Sequence, residues 1–384
     1  MKTKIRIVTL CSLAILLAFG MDSTAAPKAG PAADPKPSPS VSADWQKKWD
    51  DTLAAARKEG ELLIYLNGPA SARTALQDAF NKKFGITLNI VMGSGSVISS
   101  RLDSEYRAGI HQVDAVLAGA SSSMTAKKQG FLSPIPPLFI LPEIIDPSVW
   151  LGQRLPAFDK EGMIFPFLSQ AIPPVIYNKS MVREGQITSH LDLLKPEWKE
   201  KMVMFDPTIS GASHAWVGRL TQALGVDKTN EFLTALVTQQ NVMVTREMGQ
   251  QMEWVTRGKY ALAIFPQTPA VSQYLSAGAP IEAAPFKDMT GVSPSNGVLA
   301  LPKHPAHPNA VIIFVNWLLS KEGQTLAVKS IGLPSARQDV PPEGVNPMFV
   351  VKPGSKLYIQ NEAFEIQVQG WSPAWKKIFT QARG

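Results

Sequence analysis

Short apolar runs alternate with segments of helical periodicity through the first third of the chain. Residues 62–65, 88–91 and 113–117 have the pattern of strands, and the first is a continuous apolar run of the kind found in strands buried on both faces. Residues 71–84 and the segment after Ser96 carry apolar residues at helical spacing. This β-α-β-α-β order predicts a mostly parallel sheet covered by helices on both faces.

A second α/β unit is predicted between residues 172 and 290. Strands are predicted at residues 202–205, 242–245 and 260–265, and a helix follows each of them. Residues 131–174 lie mostly before this unit and are rich in proline, which predicts a long irregular connection with extended pieces.

The C-terminal part of the chain predicts one more strand and several helices. Residues 297–301 have the pattern of a return strand, and residues 309–331 that of two apolar helices. The last segment carries Trp371, Trp375 and Phe379 at helical spacing, which predicts an amphipathic helix that docks on the core.

The N-terminus has the layout of a secretory signal. Cations precede an apolar run over residues 7–19, and small residues lead up to Ala25. We therefore predict a signal peptide over residues 1–25 and a periplasmic location, with an uncleaved anchor as the alternative. Residues 26–43 consist mainly of proline, alanine, serine and glycine, and we predict a flexible tether there.

Composition excludes several classes of function. The single cysteine, Cys11, falls inside the predicted signal peptide, so the mature chain would have no thiol nucleophile, thiolate metal site or disulfide. The formal net charge is +7, but lysine and arginine are scattered without interleaved aromatic residues. We therefore expect no nucleic-acid partner, although a modest positive field favours an anionic ligand.

Polar loops follow the predicted strands of the first unit. In parallel sheets, ligands bind beyond the carboxyl ends of the strands, and a glycine-rich loop that opens a helix can cradle an anion. For the loop at residues 93–96, a plain tight turn with Ser96 as a helix cap is the alternative. For the serines at residues 121–123, capping explains only one of the three. The predicted ligand-binding residues of this unit are Asn67, Ser94, Gly95, Ser96, Ser121 and Ser122.

Several segments, in one consistent order, resemble the extracellular solute-binding proteins of ABC transporters, and the ferric-iron branch is the nearest. The resemblance covers about residues 59–333. It is carried by EGEL at 59–62, FNKKFG at 80–85, VDAV at 113–116, LKPEWKEK at 194–201, DPTISG at 206–211, PNA at 308–310 with Phe314, and LLSKEGQ at 318–324.

The resemblance implies the type II periplasmic binding protein fold. In that α/β fold, two lobes are joined by two crossovers and a ligand cleft lies between the lobes. For this chain it implies a discontinuous N-lobe of residues 44–165 plus 297–384, and a C-lobe of residues 172–290.

One departure concerns iron. Iron-binding members carry adjacent tyrosines just after the strand that corresponds to residues 260–265. This chain has Phe-Pro-Gln-Thr-Pro at residues 265–269, and Tyr274 comes several residues too late. We therefore expect no metal site and keep ferric iron as the second hypothesis.

The family arrangement also implies a set of site residues on the second lobe. A helix opens at Ser210–His214 and would face the cleft, opposite the helix starts of the first lobe, in a geometry that suits a carboxylate or phosphate. His214 could add a charge or a hydrogen bond, or could simply be a surface group. The predicted ligand-binding residues here are Tyr177, Ser210, Gly211, Ser213, His214, Gln267 and Thr268.

We therefore predict the periplasmic substrate-binding component of an ABC importer. It would capture a small anionic or zwitterionic organic solute by lobe closure, work as a monomer with a membrane permease, and need no cofactor. A periplasmic hydrolase is the alternative of another class, but the chain has no G-x-S-x-G, H-E-x-x-H or mature thiol. Paired carboxylates that act as catalysts stay open as a possibility. A sensory or adhesive module that works without a permease is a third alternative.

Overall fold

The structure is a computed structural model of the chain, and it describes residues 42–209, 211–287 and 289–381. The predicted signal peptide, and the predicted tether up to Val41, lie outside these residues. The strands are β1 (Glu61–Leu66), β2 (Thr87–Met92), β3 (Ala115–Ala118), β4 (Leu132–Ser133), β5 (Ile164–Pro166), β6 (Gln170–Ile172), β7 (Val175–Asn178), β8 (Met202–Phe205), β9 (Met243–Thr245), β10 (Leu262–Ile264), β11 (Ile281–Ala284), β12 (Thr290–Ser293), β13 (Val298–Pro302) and β14 (Leu357–Ile359).

Helices separate most of these strands. The proline-rich connection contains strands β4, β5 and β6 and one short α-helix, with 3₁₀ turns on either side of that helix. None of the described helices is both long enough and apolar enough to cross a membrane. The helices are α1 (Ser42–Glu59), α2 (Ala70–Phe84), α3 (Gly95–Arg107), α4 (Ala120–Lys128), α5 (Pro142–Ile145), α6 (Ala212–Leu224), α7 (Val226–Thr238), α8 (Met248–Thr256), α9 (Thr268–Ser276), α10 (Pro308–Leu319), α11 (Lys321–Ile331) and α12 (Glu362–Gln381).

The first lobe is built on a sheet of order β2-β1-β3-β13-β4, in which β5 also pairs with β13. Strand β1 runs parallel to β2 and β3, and β13 returns antiparallel to β3. The residues of β3 are all buried, because α2 and α10 cover one face and α3 and α4 cover the other. The predicted alternation and return strand are thus confirmed.

The second lobe has a sheet of order β11-β7-β10-β8-β9. Strands β8, β9 and β10 run parallel, and β7 and β11 complete the sheet in antiparallel pairings. On one face Trp216 stacks on Phe265 with ring centroids 5.6 Å apart, and on the other Met252 and Val271 are buried. This sheet confirms the second α/β unit that the sequence predicts.

A third sheet, β14-β12-β6, joins the lobes, and we call it the linking sheet. Strand β6 lies on the path from the first lobe to the second, and β12 lies on the way back, where Gly291 pairs with Ile172. These are the two crossovers that the family resemblance implies. Strand β14 is a further strand beside them, parallel to β12.

Strand β14 explains a difference from the predicted N-lobe, which included all of residues 297–384. Helix α12 instead packs on α6 and α7 of the second lobe, where Phe364 and Trp375 are buried in the same cluster as Trp216. A Cβ at Gly218 of α6 would lie 2.4 Å from Val368 of α12, so the close approach of these helices requires glycine there. The second lobe therefore buries the apolar face of α12.

The boundary of the predicted tether also differs. Helix α1 begins at Ser42, two residues before the predicted start of structure at Asp44. Asp44 lies in the first turn of α1, where an acidic side chain favours the helix, so the helix extends back to include residues 42 and 43.

Candidate functional site

A cavity of about 540 Å³ lies between the two lobes and against the linking sheet, and we call it the cleft. Ligand cavities in proteins commonly fall in this range of volume. The first lobe contributes Asn67, Gly95, Ser96, Ser99, Gly119, Ala120, Ser121, Ser122, Thr125, Ser295 and Asn296 to its lining, the second lobe Gly211, Ala212, His214, Ala215, Arg219, Gln267, Thr268 and Pro269, and the linking sheet with α12 Gln170, Ile172, Ser293, Gln360, Glu365 and Val368.

On the first-lobe side, α3 begins at the cleft. Gly95 and Ser96 line it, but Ser94 does not, because its Oγ caps the helix by accepting from the N–H of Val97 at 3.4 Å. Ser94 rather than Ser96 is thus the cap. Ser94 is also predicted from the sequence to contact the ligand, but it does not line the cleft, so the structure gives that role no support.

Helix α4 begins beside α3. Its first turn contains Ser121 and Ser122, and the Ser122 hydroxyl donates to the carbonyl of Gly119 at 2.8 Å. A Cβ at Gly95 would lie 3.6 Å from the Asn67 amide nitrogen and 3.7 Å from Ser122 Oγ. The structure therefore brings these predicted residues of three separate loops together.

On the second-lobe side, α6 and α9 begin at the cleft. Gly211 precedes α6 with φ 149°, a conformation that favours glycine. Gln267, which precedes α9, accepts from the N–H of Ala212 through Oε1 at 3.1 Å. Ser210 lies outside the described residues. His214 lines the cleft, with its Nδ1 2.8 Å from the carbonyl oxygen of Pro207.

The cleft thus lies at four helix N-termini, two from each lobe. The starts of α3, α4, α6 and α9 all contribute lining residues. Each helix N-terminus carries about half a positive elementary charge and several N–H groups without intrahelical partners. A cavity at four such termini is suited to an anionic group.

Two further predicted residues lie away from the cleft. Ser213 is fully buried and its hydroxyl donates to the carbonyl of Phe265 at 2.7 Å, because the second residue of α6 points to the neighbouring strand. Tyr177 lies in β7 and lines a separate cavity of about 620 Å³. Burial raises the pKa of Tyr177, and the charge of Glu282 raises it further.

Several polar residues of the cleft lining lie outside the set predicted from sequence, among them Arg219, Gln360 and Glu365. Arg219 lies in the interior of α6. Gln360 precedes α12 and Glu365 lies in its first turn, and the Gln360 Nε2 donates to Glu365 Oε1 at 2.7 Å. Burial lowers the pKa of Arg219 to about 10, so it remains charged at neutral pH. The one feature of the sequence that could have indicated these residues is an arginine within the apolar helix 212–224.

One acidic cluster outside the cleft has spacing that could suit a metal ion. Oxygens of Asp159, Glu161 and Glu362 lie within 4.8 Å of one another. The Lys127 ammonium, however, bonds to all three, at 3.0, 2.5 and 2.8 Å respectively. We therefore interpret the cluster as an ion-pair network that ties α4 to the first turn of α12.

Residues 75–353 match the family described as bacterial extracellular solute-binding protein. The match covers well over half of the chain, and it confirms the predicted class of binding protein rather than enzyme.

Solved structures share the fold. Ferric iron-binding protein A of Mannheimia haemolytica, in an open conformation, is 16% identical, with a TM-score of 0.67, and the alignment covers 83% of this chain and 98% of that one. Iron-bound HitA of Pseudomonas aeruginosa is 18% identical over 83% and 99%, with a TM-score of 0.58. AfuA of Actinobacillus pleuropneumoniae, with fructose-6-phosphate bound, is 19% identical over 84% and 97%, with a TM-score of 0.55. These likenesses confirm the two-lobed periplasmic binding protein fold.

Proposed function

Since the chain belongs to the bacterial extracellular solute-binding protein family, we propose that it is the periplasmic substrate-binding component of an ABC importer. Its ligand is a small anionic or zwitterionic organic solute. It works as a monomer, delivers the solute to a membrane permease, and needs no cofactor.

One observation carries the choice of ligand. The cleft is lined by the N-terminal turns of four helices, and Arg219 adds a full positive charge to its wall. Unpaired backbone N–H groups and helix dipoles favour carboxylate, phosphate or phosphonate groups. The lining serines and amides supply hydrogen bonds that fix the orientation of the rest of the solute.

Capture proceeds by lobe closure about the linking sheet. A solute that touches α3 and α4 of one lobe and α6 and α9 of the other binds the closed state better than the open state. It therefore shifts the population toward closure. The permease then recognises the closed arrangement of the two lobes.

Ferric iron, which some solved relatives contain, fits this cleft less well. Among the described lining residues, His214 and Glu365 are the side chains of the types that commonly bind iron, and tyrosine is absent. An iron site built on hard oxygen donors would need more anionic oxygens than these. We therefore rank the organic solute first.

A melting-temperature screen tests this proposal. The panel contains O-phospho-L-serine, L-glutamate, D-3-phosphoglycerate, D-fructose 6-phosphate, inorganic phosphate, putrescine and ferric citrate. A ligand at about 100 times its Kd adds about 2.7 kcal/mol to the free energy of unfolding, which raises the Tm by several degrees. We expect a rise with organic anions or zwitterions, whereas a rise with ferric citrate alone would contradict the proposal.

A pair of variants on α3 locates the site. Ser96→Asp places a negative charge in the cleft, and we expect the affinity for any anionic ligand to fall at least about tenfold by like-charge repulsion. Ser100→Asp is the matched control, because Ser100 is exposed one turn further along α3 and does not line the cleft. Equal affinities for the two variants would place the ligand elsewhere.

A further inference from the structure

Among the described residues, two arginines are almost completely buried, and they differ in their neighbours. Arg337 is 3% exposed and Arg219 is 1% exposed. Each guanidinium lies 5.5 Å from the ring centroid of a buried tryptophan, Trp150 and Trp216 respectively. The two side chains are thus matched in burial and in aromatic contact, which makes the difference in their charge partners informative.

Arg337 is neutralised by carboxylates. Its Nε and Nη2 donate to the two oxygens of Asp339, each at 2.9 Å, and Nη2 also lies 3.2 Å from Glu143. This fork-to-fork geometry is the strong form of an arginine ion pair. The charge of Arg337 therefore stabilises its own surroundings.

Arg219 has no such partner. Its contacts in the described part of the chain are two long hydrogen bonds to carbonyl oxygens, those of Val292 at 3.3 Å and Tyr358 at 3.4 Å, and the Trp216 and Phe364 rings. No carboxylate of the described residues lies within ion-pair distance of it. A buried charge without a direct ion pair is costly, and Arg219 lies on the wall of the cleft.

Glu365 is the acidic side chain whose charge acts on Arg219. Its charge raises the pKa of Arg219 against the larger lowering effect of burial, yet the two form no direct ion pair. Gln360 holds Glu365 Oε1 in place at 2.7 Å. Among the described lining residues, Arg219 and Glu365 are the cation and the anion, with His214 as the other titratable group.

We propose that Arg219 and Glu365 are the specificity-determining charges of the cleft, and that together they select a zwitterionic solute. The anionic group of the solute binds at the helix N-termini on the side of Arg219, and its ammonium group donates to Glu365. This inference rests on the proposed function and narrows it from anions in general to zwitterions. The observation that carries it is that these two opposite charges line the cleft and form no direct ion pair with each other.

Matched probes separate the two levels of the proposal. O-Phospho-L-serine and L-3-phosphoglycerate have the same configuration and differ in that an ammonium is replaced by a hydroxyl, and L-glutamate and L-2-hydroxyglutarate form a second such pair. Calorimetry on the full chain gives the four affinities. We expect at least one zwitterion to bind at least about tenfold more tightly than its hydroxy partner.

Two variants then assign the roles. Glu365→Gln should lower the affinity for the zwitterion at least about tenfold and leave that for the hydroxy acid unchanged or higher, because only the ammonium needs the negative charge. Arg219→Met should lower the affinity for both by about 30-fold or more, in keeping with the loss of a buried charge partner. The Glu365→Gln comparison stands on its own, because it requires no substitution at a fully buried residue.

Melting temperatures without ligand distinguish a binding role from a structural one. Arg337→Met leaves Asp339 without its partner and should lower the Tm by several degrees. Arg219→Met removes a buried charge that has no direct ion pair, and it should leave the Tm unchanged or raised. An equal fall in both variants, with affinities unaltered in Arg219→Met, would overturn the role of Arg219.

The remaining outcomes are also decisive. Hydroxy acids that bind as tightly as their zwitterionic partners, or a zwitterion preference that survives in Glu365→Gln, would overturn the zwitterion inference and leave the proposed function intact. If none of the four probes binds but D-fructose 6-phosphate or another organic anion does, the zwitterion inference is overturned and the proposed function stands. If no organic anion of either set binds to the wild-type chain, both are contradicted.

Discussion

Gln267 Oε1 accepts a hydrogen bond from the backbone N–H of Ala212 at 3.1 Å. The residue that precedes α9 thereby satisfies one of the free donors at the start of α6. Gly211 directly precedes Ala212, and a Cβ at Gly211 would be 2.4 Å from Gln267 Nε2. The second-lobe wall of the cleft is therefore one unit, in which the two helix starts hold each other in position.

Gly211→Ala should disrupt this unit. The methyl group meets the Gln267 side chain, and the backbone at φ 149° is strained for alanine. We expect a loss of about 1–3 kcal/mol in the free energy of unfolding, measured by urea denaturation, together with weaker ligand binding. Gly249→Ala is the control, because a Cβ at Gly249 contacts nothing within 4 Å, and a loss of equal size there would contradict the explanation.

Lys127 should be required for stability. Its ammonium bonds to the buried Asp159 at 3.0 Å and also to Glu161 and Glu362. Lys127→Met leaves three carboxylates close together without a cation, so we expect a loss of about 3 kcal/mol in the free energy of unfolding. Lys128→Met, at the exposed neighbouring position, should change little, and equal urea midpoints for the two variants would contradict the prediction.

Asp192 should make part of the stability depend on pH. Burial raises the pKa of this carboxyl, but the Lys195 ammonium and the N–H groups of Thr188 and Ser189 together lower it well below its usual range. A lowered pKa contributes stability above the unfolded-state value of about 3.9, and this contribution is lost as the pH falls further.

Asp192→Asn should therefore be less stable than the wild type at pH 7, by about 1 kcal/mol, and the difference should shrink below about pH 4. Urea denaturation at pH 7 and at pH 3 measures it. Asp78→Asn, at an exposed position on α2, serves as the control and should stay within about 0.5 kcal/mol of the wild type at both pH values. A difference for Asp192→Asn that is constant with pH would disprove the assignment.

The sequence alone predicts the first-lobe side of the cleft well. Asn67, Gly95 and Ser121 follow strands or open helices at the carboxyl edge of a parallel sheet, and strand order is sufficient to bring such loops together. Whether these residues bind a ligand stays a prediction. Ser94 and Ser213 show the limit of this reasoning, because local hydrogen bonds to Val97 and Phe265 decide where each hydroxyl points.

The places of Arg219 and Glu365 in the cleft lining could not be predicted in the same way. Arg219 lies in the interior of an apolar helix, and Glu365 comes almost 150 positions later in the sequence. Both residues line the cleft because α12 packs on α6. That packing depends on the close approach at Gly218 and on strand β14. Pattern and periodicity predict that α12 is amphipathic, but they do not reveal which lobe its apolar face covers.

The most direct test of the central claim, capture by lobe closure, is a distance measurement across the cleft. Spin labels at Ser100→Cys on α3 and Gln273→Cys on α9, in a chain with Cys11→Ser, report the separation of the lobes from two exposed positions. A pair within the first lobe, Ser100→Cys with Lys82→Cys, is the control. With saturating amounts of the probe that stabilises the protein most, we predict shorter distances for the first pair and no change for the control. Unchanged distances across the cleft, with the ligand shown to be bound, would contradict the account.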